Sequence, residues 1–221
     1  AFDHIAVAYR NVETPVRLGA WRSVGHSHTA FVVESFVDEI AHAAGEDPIA
    51  FRRRHLPADS RQRQVLDEVE RISNWCNSAE GHFQGVAVHE SFHTVVAEVV
   101  EISMQNGRPK LENAWVAVHC GQVVNPDIVR QQMEGGLIFG LSAALHGEIT
   151  FEAGAAVQGN FHDYPSLRIN EVPAIEVAII ASDAPPTGVG EPATPPAPAA
   201  LGNAIFAATG QRQRSLPFRF S

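Results

Sequence analysis

Residues 85–120 read GVAVHESFHTVVAEVVEISMQNGRPKLENAWVAVHC. Three runs in this stretch, GVAVHESF, TVVAEVVEIS and ENAWVAVHC, are rich in β-branched and aromatic residues and bounded by turn-forming ones. That pattern predicts strands. MQNGRPK joins the second run to the third, and its Asn106-Gly107 pair suits the two positive-φ positions of a tight hairpin turn.

Toward the N-terminus, His4 to Glu13 reads as a further strand closed by Pro15. SHTAFVVESFVDEIAHAAG then carries apolar residues at Phe31, Val32, Phe36, Ile40 and Ala44, with Gly45 placed to stop it. The spacing predicts an amphipathic helix. Asp47-Pro48 opens a short helix through Phe51, and Arg61 to Asn74 carries a weaker helical period. The run Arg52, Arg53, Arg54 reads as a solvated helix face.

Toward the C-terminus, Asn125 can cap a helix with Pro126 in its first turn and an apolar face of Met133, Leu137, Leu141 and Leu145. Gly135 and Gly136 sit inside it, each costing about 1 kcal/mol against alanine. Close approach by another backbone or by a ligand would account for them. A hairpin at Glu152-Ala153-Gly154, the aromatic loop NFHDYPSLR and the strand IEVAIIAS follow. DAPPTGVGEPATPPAPAAL then leads to a helix from about Ala199 to Ala208 that ends at Gly210. Strands and helices without regular βαβ alternation predict an α+β fold, mixed sheets with packed helices. Residues 1–80 are expected to form a first lobe and residues 81–221 a second.

Composition narrows the function. Sixteen basic against 25 acidic residues give a formal charge of −9, a poor match for a phosphate backbone, so nucleic acid is not an expected partner. No apolar stretch approaches the ~30 Å hydrocarbon thickness of a bilayer, and AFDHIAVAYR shows no signal-peptide pattern. Cys76 and Cys120 make neither a CxxC spacing nor a disulfide framework and read as plain thiols.

His89-Glu90-Ser91-Phe92-His93 matches the zinc-protease pattern H-E-x-x-H. That chemistry needs a helix, on which side chains four apart are neighbours. On a strand they lie ~13 Å apart, too far for one ion. A zinc hydrolase therefore predicts a helix at His89 to His93, whereas the flanking runs predict strand. His26 and His28 read as structural, and no metal ligand set is expected.

TGVGEP, residues 187–192, places Gly188 and Gly190 around Val189, then Glu191, stiffened by Pro192. Such a turn presents backbone N–H groups and admits a polyanionic ligand. A glutamate held there against an apolar surround would have a raised pKa, as suits a general base.

With GVGEP followed by a Pro/Ala-rich helix start and NAIFAATGQRQRSLP, the chain resembles the C-terminal part of molybdopterin-binding large subunits of the xanthine dehydrogenase and aldehyde oxidase family. The isoquinoline 1-oxidoreductase β-subunit type is the nearest in pattern. Three further blocks agree in order: GAWRSVGHSHTAFVVESFVDEIAHAAGEDPIAFR, GVAVHESF, and VHCGQVVNPDIVRQQMEGGLIFGLSAALHGEITF continuing to NFHDYPSLR. The resemblance implies that Glu191 is the catalytic base and that Gln132 sits beside the metal and cofactor. Gly135, Gly136, Gly188, Val189 and Gly190 would lie along the cofactor. Arg22, in a WRSVG segment that departs from the commoner pattern at Ser23 and Val24, would line the substrate pocket. The implied activity is that of a molybdopterin-dependent oxidoreductase, hydroxylating an aldehyde or N-heterocycle with water as oxygen source. The expected cofactor is molybdopterin cytosine dinucleotide. Electrons would leave through iron–sulfur clusters on a 2Fe-2S small subunit, and the remainder of the large subunit would complete the pocket, so the chain alone is expected to be inactive. Bacterial relatives imply a cytoplasmic or periplasmic setting. A non-catalytic scaffold of the same fold is the alternative.

Overall fold

The computed structural model describes residue 4 and residues 6–220. At its centre is a four-stranded sheet of β1 (His82–Ser91), β2 (Thr94–Gln105), β3 (Arg108–His119) and β6 (Ala174–Ile179), in the order β1-β2-β3-β6. The first three strands form an antiparallel meander, and β6 joins β3 in parallel. Asn106 and Gly107 turn β2 into β3 with φ of 52° and 76°, as their residue types predicted. A second two-residue ribbon, β4 (Phe151–Glu152) with β5 (Ala155–Ala156), turns through Ala153 and Gly154.

Helices cover both faces of the sheet, which is why β2 is buried along most of its length. On one face Val96, Val100, Val116 and Val118 pack with Met133, Leu137 and Leu141 of α4 (Pro126–His146) and Leu201 and Ile205 of α5 (Ala197–Thr209). On the other, Val95, Ala97, Val99 and Ala117 meet Ile49 of α2 (Pro48–His55) and Val65, Leu66 and Val69 of α3 (Arg61–Ser73). Gly85 lets α5 lie directly on β1, since a Cβ there would come within 2.1 Å of the Ala204 nitrogen. Helix ends follow their sequence signals. Asp47, Ser60 and Asn125 cap α2, α3 and α4 through their side chains, and Gly210 closes α5 at φ 71°. α5 begins two residues before the expected Ala199.

Several expectations are corrected. The strand at His4 to Glu13 is absent among the described residues, and Ile5 lies outside them. Residues 6–20 are exposed and extended along no neighbouring strand, so their strand-like composition has no ladder to enter. The helix read from SHTAFVVESFVDEIAHAAG is α1 (His26–Ala43), but it is turned over. Its buried residues are Ala30, Phe31, Glu34, Asp38 and Ala41, while Val32, Phe36 and Ile40 face outward.

Ion pairs hold that orientation. Arg52 Nε donates to Glu34 at 3.0 Å, and Arg212 Nη1 donates to Asp38 at 2.6 Å, all four side chains being buried or nearly so. Glu34 also accepts from the Val88 amide at 2.8 Å, tying α1 to β1. Removing one member of such a buried pair costs about 3–5 kcal/mol, because the other is left uncompensated. Arg52 is therefore not on a solvated face, as the arginine run had implied. It is 3% exposed.

Candidate functional site

The H-E-x-x-H segment forms no helix, which overturns the zinc-hydrolase alternative. His89 and Glu90 end β1, and Phe92 and His93 are the two central residues of the β1–β2 turn, at φ 52° and 63°. Alternation sends the pair to opposite faces. His89 Nε2 meets His26 Nδ1 at 2.9 Å on one, and Glu90 binds Arg61 and Gln62 on the other. Burial, reinforced by His26, pushes the His89 imidazole down to about 4, so His89 is held neutral. No cluster of three metal-ligating side chains occurs among the described residues.

The TGVGEP loop leaves β6 and is fixed along its length. The Gln122 amide donates to Ala184 O at 2.8 Å and the Thr187 amide to Cys120 O at 2.9 Å, so the end of β3 holds its start. Thr94, buried at the start of β2, donates through Oγ1 to Gly188 O at 2.7 Å and shares a 2.6 Å contact with Thr187 Oγ1. At the far end the Thr194 amide closes a turn on Glu191 O at 2.9 Å, and Thr194 Oγ1 donates to Gly136 O of α4 at 3.1 Å.

Three of the residues singled out from sequence meet at the middle of this loop. Arg22 donates from Nε to Gly190 O at 2.8 Å, and from Nη2 to the same oxygen and to Gln132 Oε1, the last at 3.3 Å. Its guanidinium lies 5.6 Å from the centre of the Phe139 ring, against which Trp21 also packs at 4.8 Å. Burial lowers the Arg22 pKa, and the nearby Glu191 charge opposes that shift. Arg22 thus ties the start of α4 to the loop.

Glu191 is held by Ser23, which the sequence reading named only as a departure from the commoner pattern. The Ser23 amide donates to Glu191 Oε1 at 2.9 Å and Ser23 Oγ to Glu191 O at 3.0 Å. Ser23 and Val24 adopt φ of 78° and 50° to do so. Left-handed geometry at non-glycine residues costs on the order of 1–3 kcal/mol each and persists where the surroundings over-determine it. The expected apolar surround is thus replaced by a backbone N–H, a serine and an arginine. A serine before a helix carries no signal for this role. Thr94 and Thr194 were missed for the same reason.

The glycines divide into two groups. A Cβ at Gly136 would come within 2.9 Å of Ala193 Cβ, and one at Gly140 within 2.6 Å of Thr194 O. These two give α4 a flat face on which residues 193–198 lie, so Gly136 has a packing reason within the chain. The Gly136-x-x-x-Gly140 spacing was its readable signal, since residues four apart share a helix face. Gly135, Gly188 and Gly190 are different. A Cβ at Gly188 would meet nothing within 4 Å, one at Gly135 only Arg22 Nη1 at 4.0 Å, and one at Gly190 only Gln132 Oε1 at 3.9 Å. The backbone around Gln132 is thus open, with Val189 packed on the core beneath, and leaves room for a large polar ligand to approach it closely.

Comparison with known proteins identifies the family. The sequence profile of the molybdopterin cofactor-binding domain matches residues 31–173. The chain is 35% identical over 204 residues to the β-subunit of isoquinoline 1-oxidoreductase from Brevundimonas diminuta, covering 90% of this chain and 26% of that protein. It is 31% identical over 238 residues to one of the subunits of nicotinate dehydrogenase from Pseudomonas putida, covering 98% and 20%. Among solved structures, quinoline 2-oxidoreductase from Pseudomonas putida 86 superposes with a TM-score of 0.76 at 14% identity, over 87% of this chain and 50% of that one. Aldehyde oxidoreductase from Desulfovibrio gigas superposes at 0.72 and 13%, over 90% and 40%. At those identities the structures speak for the fold, a mixed α/β molybdenum-cofactor domain. The chain spans a fifth to a quarter of the length of these two curated relatives. With the profile covering well over half of its residues, the chain belongs to the molybdopterin cofactor-binding domain family and is a piece of a molybdenum-binding domain of the xanthine dehydrogenase type.

Proposed function

We propose that this chain supplies the base-bearing part of a molybdenum hydroxylase site that oxidises an aldehyde or an electron-poor N-heterocycle. The supporting observation is the fixed position of Glu191 beside Gln132 and Arg22, on a loop whose backbone is open at Gly188 and Gly190. Isoquinoline and nicotinate in the names of two relatives favour the heterocycle, and the name of another, a membrane-bound aldehyde dehydrogenase, favours the aldehyde.

Gln132, Gly135, Gly188 and Gly190 are the residues proposed to hold the cofactor, with Val189 packed on the core beneath them and Gly136 seating α4 against Ala193. Molybdopterin, here proposed in its cytosine dinucleotide form, supplies a metal that makes water nucleophilic near neutral pH and accepts two electrons. The chain's own part is proton transfer and positioning. Ser23 fixes Glu191 through Oε1, while Oε2 takes no hydrogen bond among the described residues and is available to remove a proton from the attacking water. Arg22 keeps Gly190 and Gln132 in register with that carboxylate, so base and cofactor side are set by one guanidinium. Iron–sulfur clusters on a separate small subunit would supply the route by which the electrons leave, and the rest of the large subunit would close the pocket.

The test is elemental analysis of the enzyme purified from its native source with its partners, followed by turnover of Glu191→Gln. Molybdenum with iron, and a variant that keeps both but loses turnover, is the expected result. Low molybdenum in a complete assembly would instead favour the non-catalytic scaffold.

A further inference from the structure

The β1–β2 turn reaches the site twice. On one side Thr94, which opens β2, donates to Gly188 O at 2.7 Å and seats the glycine loop shortly before Glu191. On the other, His89 Nε2 meets His26 Nδ1 at 2.9 Å, and the Phe92 ring stands edge-on to His26 with centroids 5.3 Å apart. His26 is the first residue of α1, and its amide donates to Ser23 O at 2.9 Å. Ser23 in turn gives its own amide to Glu191 Oε1 at 2.9 Å. Contacts thus lead without a gap from β1 to the carboxylate.

Two features give these contacts a reason beyond packing. Gly25 precedes α1 without a side-chain cap, so the start of the helix lacks the usual local fixing and takes its position from outside. Phe92 and His93 adopt φ of 52° and 63°, a costly geometry for a bulky residue that persists where the surroundings over-determine it. Here it presents Phe92 to His26, while Arg61 Nη1 braces His93 O from behind at 2.7 Å. Burial keeps His89 neutral, so its Nε2 faces another ring nitrogen without like-charge repulsion.

We propose that His89 is a positioning residue for Glu191, acting through His26 to hold the Ser23 turn against the carboxylate. The β1–β2 turn then sets the loop that carries Glu191 and the turn that grips it from one anchor. This gives the H-E-x-x-H segment a part in the site without a metal. Its bearing on turnover rests on the reading of Glu191 as the base. The effect is local, because Glu34 accepts from the Val88 amide at 2.8 Å about two helical turns further on, and so keeps α1 on β1 when the histidine contact is lost.

The test compares His89→Leu with His89→Gln, whose neutral amide can still donate to or accept from His26, in the full large-subunit polypeptide purified with its partners. Amide hydrogen exchange at Ser23, read by fragmentation mass spectrometry, should run about tenfold faster in the leucine variant and match the parent in the glutamine variant. Amides of β2 should be unchanged in both. His89→Leu should also lower kcat by roughly tenfold with KM held. In a Ser23→Pro background it should add no further loss, because both changes release the same bond. Unchanged Ser23 exchange in the leucine variant overturns the proposal. So do acceleration that extends through β2, a glutamine variant no better than leucine, and losses that add to those of Ser23→Pro. Near-normal turnover in Glu191→Gln would remove the carboxylate from the chemistry, whereas the exchange still decides whether His89 holds the Ser23 turn.

Discussion

The amide of Ser23 and the carboxylate of Glu191 meet at 2.9 Å across 168 residues of sequence. Through this bond a carboxylate on a glycine-flanked loop gains the fixity of a strained turn at the start of a helix. Glu191→Gln keeps an oxygen to accept from Ser23 but cannot take a proton. Turnover should fall by roughly 10²–10⁴-fold, the range of general-base contributions, with the melting temperature and molybdenum content unchanged. Near-normal kcat in that variant would remove Glu191 from the chemistry.

Ser23 itself separates two demands. Ser23→Gly keeps the amide and suits the φ of 78°, losing only the 3.0 Å bond from Oγ, worth about 1 kcal/mol. Ser23→Pro removes the amide and cannot reach that φ. The glycine variant should hold kcat within about threefold, while proline, leaving Glu191 Oε1 without its donor, should lower it by roughly 10²-fold through mispositioning. Equal activities in the two would show that the bond is incidental.

The parts of the fold that could be read in advance are those with local signals. Asn106-Gly107 and Asn125-Pro126 fix a turn and a helix start by their own stereochemistry, whatever surrounds them. α1 shows the limit. Its apolar period was legible, but the side it would bury depends on Arg52 and Arg212, 18 and 174 residues from their carboxylates. The β1–β2 turn places Phe92, a bulky residue that rarely adopts left-handed geometry, at φ 52°, so its composition did not mark it. At the site, Glu191 was marked by its glycine turn as well as by resemblance and Gln132 and Arg22 by resemblance alone, whereas Ser23 and Thr94 act through generic hydroxyls and one backbone amide.

The α4 glycines give a prediction about packing. Gly140→Ala would place a methyl group 2.6 Å from Thr194 O and 2.8 Å from Ala197 Cβ. Overpacking of this kind costs about 1–3 kcal/mol, or about 2–4 °C in Tm for each kcal/mol in a chain of this size. Because Thr194 closes the turn on Glu191, kcat should fall as well. A variant with unchanged Tm would mean that the two segments separate freely.

Stability should carry two opposing pH dependences. Glu98 is fully buried on β2, with neither carboxylate oxygen hydrogen-bonded, and burial pushes its pKa well above the usual carboxylate value of 4.5. Its contribution is complete below 4.5 and is lost as pH rises through the folded-state value, because the unfolded chain ionises first. His89 acts oppositely. Held neutral with a pKa of about 4, it contributes fully above 6.5 and loses that contribution as pH falls toward 4. Denaturant midpoints followed from about pH 4 to 9 should decline less on the alkaline side in Glu98→Gln, and less on the acid side in His89→Gln. Parallel curves for all three proteins would refute both assignments.

The many anchors along residues 184–196 bear on how such an enzyme can be diversified. Cys120, Gln122, Thr94, Arg22, Ser23 and Gly136 fasten this segment at successive points, leaving no slack in which an inserted residue could be absorbed without moving Glu191. Evolution or a protein engineer seeking a new substrate range is therefore confined there to exchanging side chains at constant length. Changes of length belong to the exposed β4–β5 ribbon and the aromatic loop after it, where the backbone has room to grow.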